Sequence, residues 1–188
     1  RSNSGVSRSA AVVILLASTV VMVRITVEVL VVNPPLIKIL WLPLSLMFAT
    51  GLAVAGPVWK HSLLDEVLVP ETGNPAELTS ALTFGLVYAL VLLAVSAGKQ
   101  YFGNEGVYGV SFVSGLTNVD AVTLSSARLA KTGLLHPARA CNAIVIATVA
   151  NMAFKLALVH FVGTTRLTRW AALGFGAMAA VGLAALAL

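Results

Sequence analysis

Apolar stretches of membrane-spanning length recur along this chain, and a helix needs about 20 such residues to cross a hydrocarbon core. The first runs from about Ala10 to Val32 and the second from Leu36 to Val58. A third follows Asn74 and reaches about Ala97, a fifth covers Ala138 to Val162, and the last ends at Leu188. Between the third and the fifth lies Gly106 to Ala130, apolar at both ends and polar in its middle. The pattern predicts an all-α integral membrane protein of about six hydrophobic helical elements. Residues 1–9 read as an N-terminal polar segment and residues 10–188 as a single polytopic transmembrane domain in a lipid bilayer.

Composition closes off the alternatives. Only 12 Lys or Arg and 7 Asp or Glu stand among 188 residues, 10% in all, where a soluble domain carries about 25%. Cys141 is the single cysteine, so neither a disulfide framework nor a cysteine-based zinc site can form within the chain. His61, His136 and His160 match neither HxxxH nor HExxH, which removes the metalloprotease motif. The net charge of +5 is scattered singly among apolar runs, as is common beside membrane spans, so nucleic acid is not an expected partner. Ser114, Ser125 and Ser126 have no histidine near them in sequence, and no enzyme active site or cofactor motif is legible. Arg1 in place of an initiator methionine points to part of a longer or processed chain.

Local punctuation sets the expected boundaries. Asn33-Pro34-Pro35 stops the first run, since proline bars helix continuation and asparagine can cap the next helix. Pro43 is placed to kink the second run, and Trp59 to Asn74 reads as an aqueous loop. Asn74-Pro75-Ala76-Glu77 has the form of a helix start. Ser114-Gly115-Leu116-Thr117-Asn118-Val119-Asp120 interrupts the fourth element with turn and capping chemistry, which predicts two half-helices broken at Gly115–Asp120, either one broken span or a re-entrant hairpin. Thr117-x-x-Asp120 has capping-box spacing. A connector with Arg166, Arg169 and Trp170 is expected before the last span, whose Ala, Leu and Gly suit close packing and a homodimer. If all six elements cross, Arg1, Arg8, Lys60, Arg128, Lys131 and Arg139 share one side, and Lys38, Lys99, Arg166 and Arg169 the other.

Charges inside spans cost roughly 2.5–3.5 kcal/mol each on insertion scales and need a reason. Arg24 and Glu28, four residues apart, share a helix face and can pair; they serve either as a structural ion pair or as part of a polar path in which Glu28 takes a cation or proton and Arg24 compensates. Thr117, Asn118 and Asp120 stand where backbone unwinds, the arrangement from which transporters build ion sites, with helix capping as the plainer role. Cys141, Thr148, Asn151 and Lys155 fall on one helical face; Asn151 lies near mid-membrane and requires a partner, while Lys155 can offset an acid or extend toward an interface. Asp120 and Asn118 are the candidate metal ligands, holding Mg2+ through its waters, whereas the near-neutral balance of Glu28 and Asp120 against Arg24 and Lys155 disfavours a naked divalent ion.

Gly115-Leu-Thr-Asn-Val-Asp-Ala-Val-Thr-Leu-Ser125, Arg24-Ile-Thr-Val-Glu28 through Asn33-Pro34, Asn74-Pro75-Ala-Glu77-Leu78 and Ala150-Asn151-x3-Lys155 together resemble the uncharacterised C-terminal membrane domain of MgtC/SapB-type proteins. The likeness covers nearly the whole chain from about Ala10. The family pattern carries Asp more often at the position of Asn118, an exchange that removes a potential charge here. The resemblance implies a multi-pass protein of the bacterial inner membrane, and the MgtC-like domain that accompanies it elsewhere is associated with magnesium homeostasis. Two functions are expected to compete: a transporter or channel-like protein for a small ion, Mg2+ or another cation, and a non-transporting regulatory or assembly module.

Overall fold

The computed structural model describes residues 3–63 and 107–187, and among these residues the chain is all helical. Six α-helices follow one another: α1 (Asn3–Val32), α2 (Ile37–Leu63), α3 (Val107–Gly115), α4 (Val119–Lys131), α5 (Pro137–Val162) and α6 (Thr165–Ala184). Short 3-10 turns at Pro34–Leu36 and Ala185–Ala187 precede α2 and extend α6. Four segments are long and apolar enough to cross a membrane: Ser7–Val32, Pro34–Lys60, Pro137–Val162 and Thr165–Ala187. This is a membrane protein. The third expected span, Asn74 to Ala97, lies outside the described residues.

Helices α1, α2 and α6 pack together around Leu15, Met22, Ile25, Met47 and Met178, all essentially inaccessible. Small residues let the backbones approach: Gly174 faces Leu15, Gly182 faces Met47, and Gly51 faces Thr19 and Met178. Two of the three glycines of α6, Gly174 and Gly182, are therefore used within the chain. Thr19 and Thr148 are tolerated in this apolar interior because each hydroxyl donates to the carbonyl four residues earlier, Leu15 at 2.7 Å and Ile144 at 2.8 Å.

Several boundaries differ from the sequence reading, each because a polar group finds a specific partner. Helix α1 begins inside the expected polar segment, at Asn3, and Ser7 is buried against Thr164, their hydroxyls 2.9 Å apart. Asn33 caps nothing with its side chain; its amide donates instead to the Ala127 carbonyl at 3.2 Å. Helix α2 carries both Pro43 and Pro57 and continues past Trp59 to Leu63, shortening the expected loop. No connector precedes α6: Thr164 accepts from the Leu167 amide, and Arg166, Arg169 and Trp170 lie in the first turns of the helix.

Ser7 against Thr164 and Asn33 against Ala127 also fix which ends of the helices share a level. The start of α1 lies with the end of α5, and the end of α1 with the end of α4. Arg8, Lys60, Arg166 and Arg169 consequently flank one end of the bundle and Lys38, Arg128, Lys131 and Arg139 the other. Among the described residues this is four against four, where the expected layout put five of these eight on one side; Arg1 and Lys99 lie outside the described residues.

At Gly115 the end of α3 lies on α5 so closely that a Cβ would run into the Cα, Cβ and carbonyl oxygen of Ala147, largely backbone that cannot turn aside. At Gly176, in α6, no atom stands within 4 Å of the same position. Gly115→Ala should therefore cost about 1–3 kcal/mol through overpacking, while Gly176→Ala should be neutral or gain up to about 1 kcal/mol from helix propensity. Thermal unfolding of the two variants in detergent checks the contrast; equal midpoints would mean that α3 does not sit on α5 this way.

Candidate functional site

Helices α3 and α4, of 9 and 13 residues, are each too short to span a bilayer alone. Their outer ends lie together. The Asn142 amide, in the second turn of α5, donates to the Tyr108 hydroxyl at 3.3 Å, and the last turns of α4 meet Asn33. Their junction lies deep. Asn151 Nδ2 donates to the carbonyls of Gly115 at 3.3 Å and Leu116 at 3.4 Å. Asn151 is about 21 Å along α5 from Pro137 and about 17 Å from Val162, at the 1.5 Å rise per residue of a helix.

Around the junction nearly every polar group is engaged. Ser114 O accepts from the backbone amides of Thr117 and Asn118 and from the Thr117 hydroxyl, the last at 3.4 Å. The expected capping box does not form. Asn118 is the N-cap, its Oδ1 accepting from the Ala121 amide at 3.0 Å, because its backbone is already non-helical, as a cap requires, while Thr117 turns back to α3. At the far end of α4 the chain leaves through Gly133, whose φ of +76° suits a residue without Cβ.

Asp120, freed from capping, pairs with Arg24 on α1. Arg24 also reaches Glu28, Nε to Oε1 3.3 Å, so the expected pair forms and gains a third member. Lys155 does not join them; its nearest polar partner is the Ser18 hydroxyl at 3.5 Å. The structure thus brings Arg24, Glu28 and Asp120 together, places Thr117, Asn118 and Asn151 at the junction, and leaves Lys155 apart. Among the described residues, no three His, Cys, Asp or Glu side chains gather as metal ligands.

On the opposite side of α4 from Asp120, α3 and α4 flank a half-open cavity of about 700 Å³. Ser111, Ser114, Thr117, Asn118, Ser125 and Ser126 supply its polar wall, with valines and leucines between them. The Ser111 hydroxyl donates to Val107 O at 2.6 Å and the Ser125 hydroxyl to Val122 O at 3.1 Å, so their oxygens keep lone pairs for the cavity. Sequence reasoning does not mark Ser111 and Ser125 as binding residues. Their signal is a small hydroxyl every third or fourth residue before the break, at 111, 114 and 117, and after it at 125 and 126, a face that Val122 continues.

Asn151 holds two junction carbonyls that lack a helical partner, midway along α5. Asn151→Leu should destabilise the fold by about 1 kcal/mol, the scale of interhelical hydrogen bonds in membranes, and should raise protease sensitivity between residues 115 and 118. An unchanged melting temperature and cleavage pattern would mean that the junction is supported elsewhere.

Comparison with known proteins adds a lineage without an activity. An uncharacterized protein of Aquifex aeolicus (strain VF5) is 37% identical over 94 residues, half of this chain and 41% of that protein. No solved structure matches. The family model of a domain of unknown function, DUF4010, matches residues 1–163; this match carries the uncharacterised domain in the expected resemblance, and no link to MgtC/SapB-type proteins. The chain belongs to the DUF4010 family.

Proposed function

We propose that this protein moves a small cation across the membrane through the space between α3 and α4, which form a re-entrant hairpin. The observation that carries the reading is the half-open 700 Å³ cavity beside the α3–α4 junction, apolar over most of its wall with hydroxyls of both helices set into it. Unwound backbone at membrane depth is tolerated only where protein or a water-filled cavity covers it, and discontinuous helices build the ion sites of many transporters. Hydroxyl oxygens whose protons are already given to helix carbonyls offer lone pairs, which suit a cation better than an anion. The junction carbonyls of Gly115 and Leu116 face Asn151, so the hydroxyls and Asn118 are the groups left to line a path.

Mg2+ enters this proposal through the resemblance to MgtC/SapB-type proteins, as does placement in a bacterial inner membrane. Mg2+ dehydrates reluctantly, and in this cavity it would travel with its waters. The competing reading is a non-transporting regulatory or assembly module, favoured by one observation: Arg24 occupies both carboxylates as a structural ion pair would. A homodimer would fit either reading, on a surface other than Gly174 and Gly182.

Purified protein in proteoliposomes should conduct at least one of Na+, K+ and Mg2+, and Ser125→Phe, which fills the cavity, should lower that flux more than tenfold. In a Cys141→Ala background, cysteines placed at Val107 and Thr132 should react with an impermeant maleimide from the same side, and one at Thr165 from the other. Absence of flux for all three ions favours the assembly module, and labelling of Val107 and Thr132 from opposite sides refutes the hairpin.

A further inference from the structure

The seam between α1 and α4 holds polar groups that the cavity does not use. Two contacts set its register. Arg24 pairs with Asp120, and Asn33 donates to Ala127 O at 3.2 Å. Both helices advance in the same direction between these contacts, so Glu28 on α1 and Thr123 on α4, each about one turn in from the first, fall between the same two contacts of the seam. Each carries a buried oxygen without a partner among the described residues: Glu28 Oε2 and Thr123 Oγ1. Thr123 is fully inaccessible, so no bulk water serves it. Its neighbour Thr148, equally buried, shows the usual solution, donation to the carbonyl four residues back. Thr123 does not take that solution.

Formal charges point the same way. Among the described residues, Arg24 contributes one positive charge and Glu28 and Asp120 one negative charge each, leaving the cluster at −1. Lys155 cannot cancel it locally, since it is held at Ser18, six residues or about 9 Å before Arg24 along α1. Uncompensated charge within a membrane span is costly. One monovalent cation makes the cluster neutral, whereas a divalent ion would leave it at +1. A hydroxyl oxygen and two carboxylates, without imidazole or thiolate, are hard ligands suited to such an ion.

We infer that the α1–α4 seam binds one alkali-metal cation, with Glu28 Oε2 and Thr123 Oγ1 as ligands and Asp120 completing the charge balance. This site lies on the opposite face of α4 from the α3–α4 cavity and stands whether or not that cavity conducts. Bound there, the ion ties the hairpin to α1 beside the Arg24–Asp120 pair.

The test is thermal unfolding of the full chain in detergent with Na+, K+, Li+ or Mg2+ titrated against choline at constant ionic strength. At least one alkali cation should raise the midpoint at millimolar concentration, with Mg2+ and choline far weaker. Thr123→Val keeps the shape and removes an unpartnered hydroxyl, so in choline it should melt no lower than the parent. Its apparent affinity for the alkali ion should nevertheless fall at least tenfold, Thr123→Ser should retain the response, and Glu28→Gln should lose it. The proposal is overturned if choline stabilises equally, if only Mg2+ acts, if acidification alone reproduces the effect, or if Thr123→Val responds like the parent. A purely water-filled seam gives the first of these results. Proteoliposome flux is scored separately: flux without alkali stabilisation removes this site and leaves the transport reading, and the reverse outcome does the opposite.

Discussion

A chain that stops being helical inside a packed bundle must find partners for the peptide groups it uncovers, because buried amides and carbonyls left unpaired are costly. The arrangement around Gly115 meets that demand from three directions. Backbone amides of Thr117 and Asn118 return to Ser114, the Asn118 side chain caps α4, and Asn151 reaches across from α5 to the last two carbonyls. The reach of an asparagine side chain is short, so this works only because Gly115 lets α3 lie directly on α5 at Ala147. Packing and hydrogen bonding are one device here. A path beside the junction presupposes that the junction holds its shape.

Charge on the other side of α4 follows a related logic. Asp120 is two residues from the cap and could have been consumed by it. Because Asn118 caps instead, the Asp120 carboxylate is available to α1, and Arg24 anchors the hairpin where α3 cannot reach. Arg24 keeps more than half of its side-chain surface uncovered, 59%, while Glu28 keeps 17%. The guanidinium, more weakly hydrated and always charged, tolerates such an edge position better than an ammonium would.

Much of the architecture was legible because its causes are local. Apolar length gave the four described spans, and Pro34-Pro35 and Pro137 gave helix limits. The i, i+4 spacing of Arg24 and Glu28 gave their contact. What escaped the sequence depends on which distant groups meet. Thr117 and Asn118 are both good caps, and only the path of α3 decides between them. Ser7 looks like part of a polar tail in sequence because Thr164 lies 157 residues away. Asn151 is recognisable as needing a partner, but that the partner is the junction itself follows from the packing of α3 on α5. The level of each helix end, and with it the division of cations between the two ends, likewise comes from long-range contacts that no window of sequence contains.

Residues 117 to 126 are the sharpest case of neighbours in sequence serving different surfaces. Asn118, Ala121, Val122, Ser125 and Ser126 face the cavity, while Asp120 and the Ala127 carbonyl meet α1 and Thr123 falls on the same side as these by helical spacing. At 100° per residue these two sets fall on opposite sides of one short helix. A substitution at Asp120 therefore acts on the cavity only through the position of α4, whereas one at Ser125 acts on it directly. The polar block that looks like a single site in sequence is a helix with one face on a hydroxyl-bearing cavity and one charged face turned to α1. Its tip must be pinned because both faces depend on where it sits.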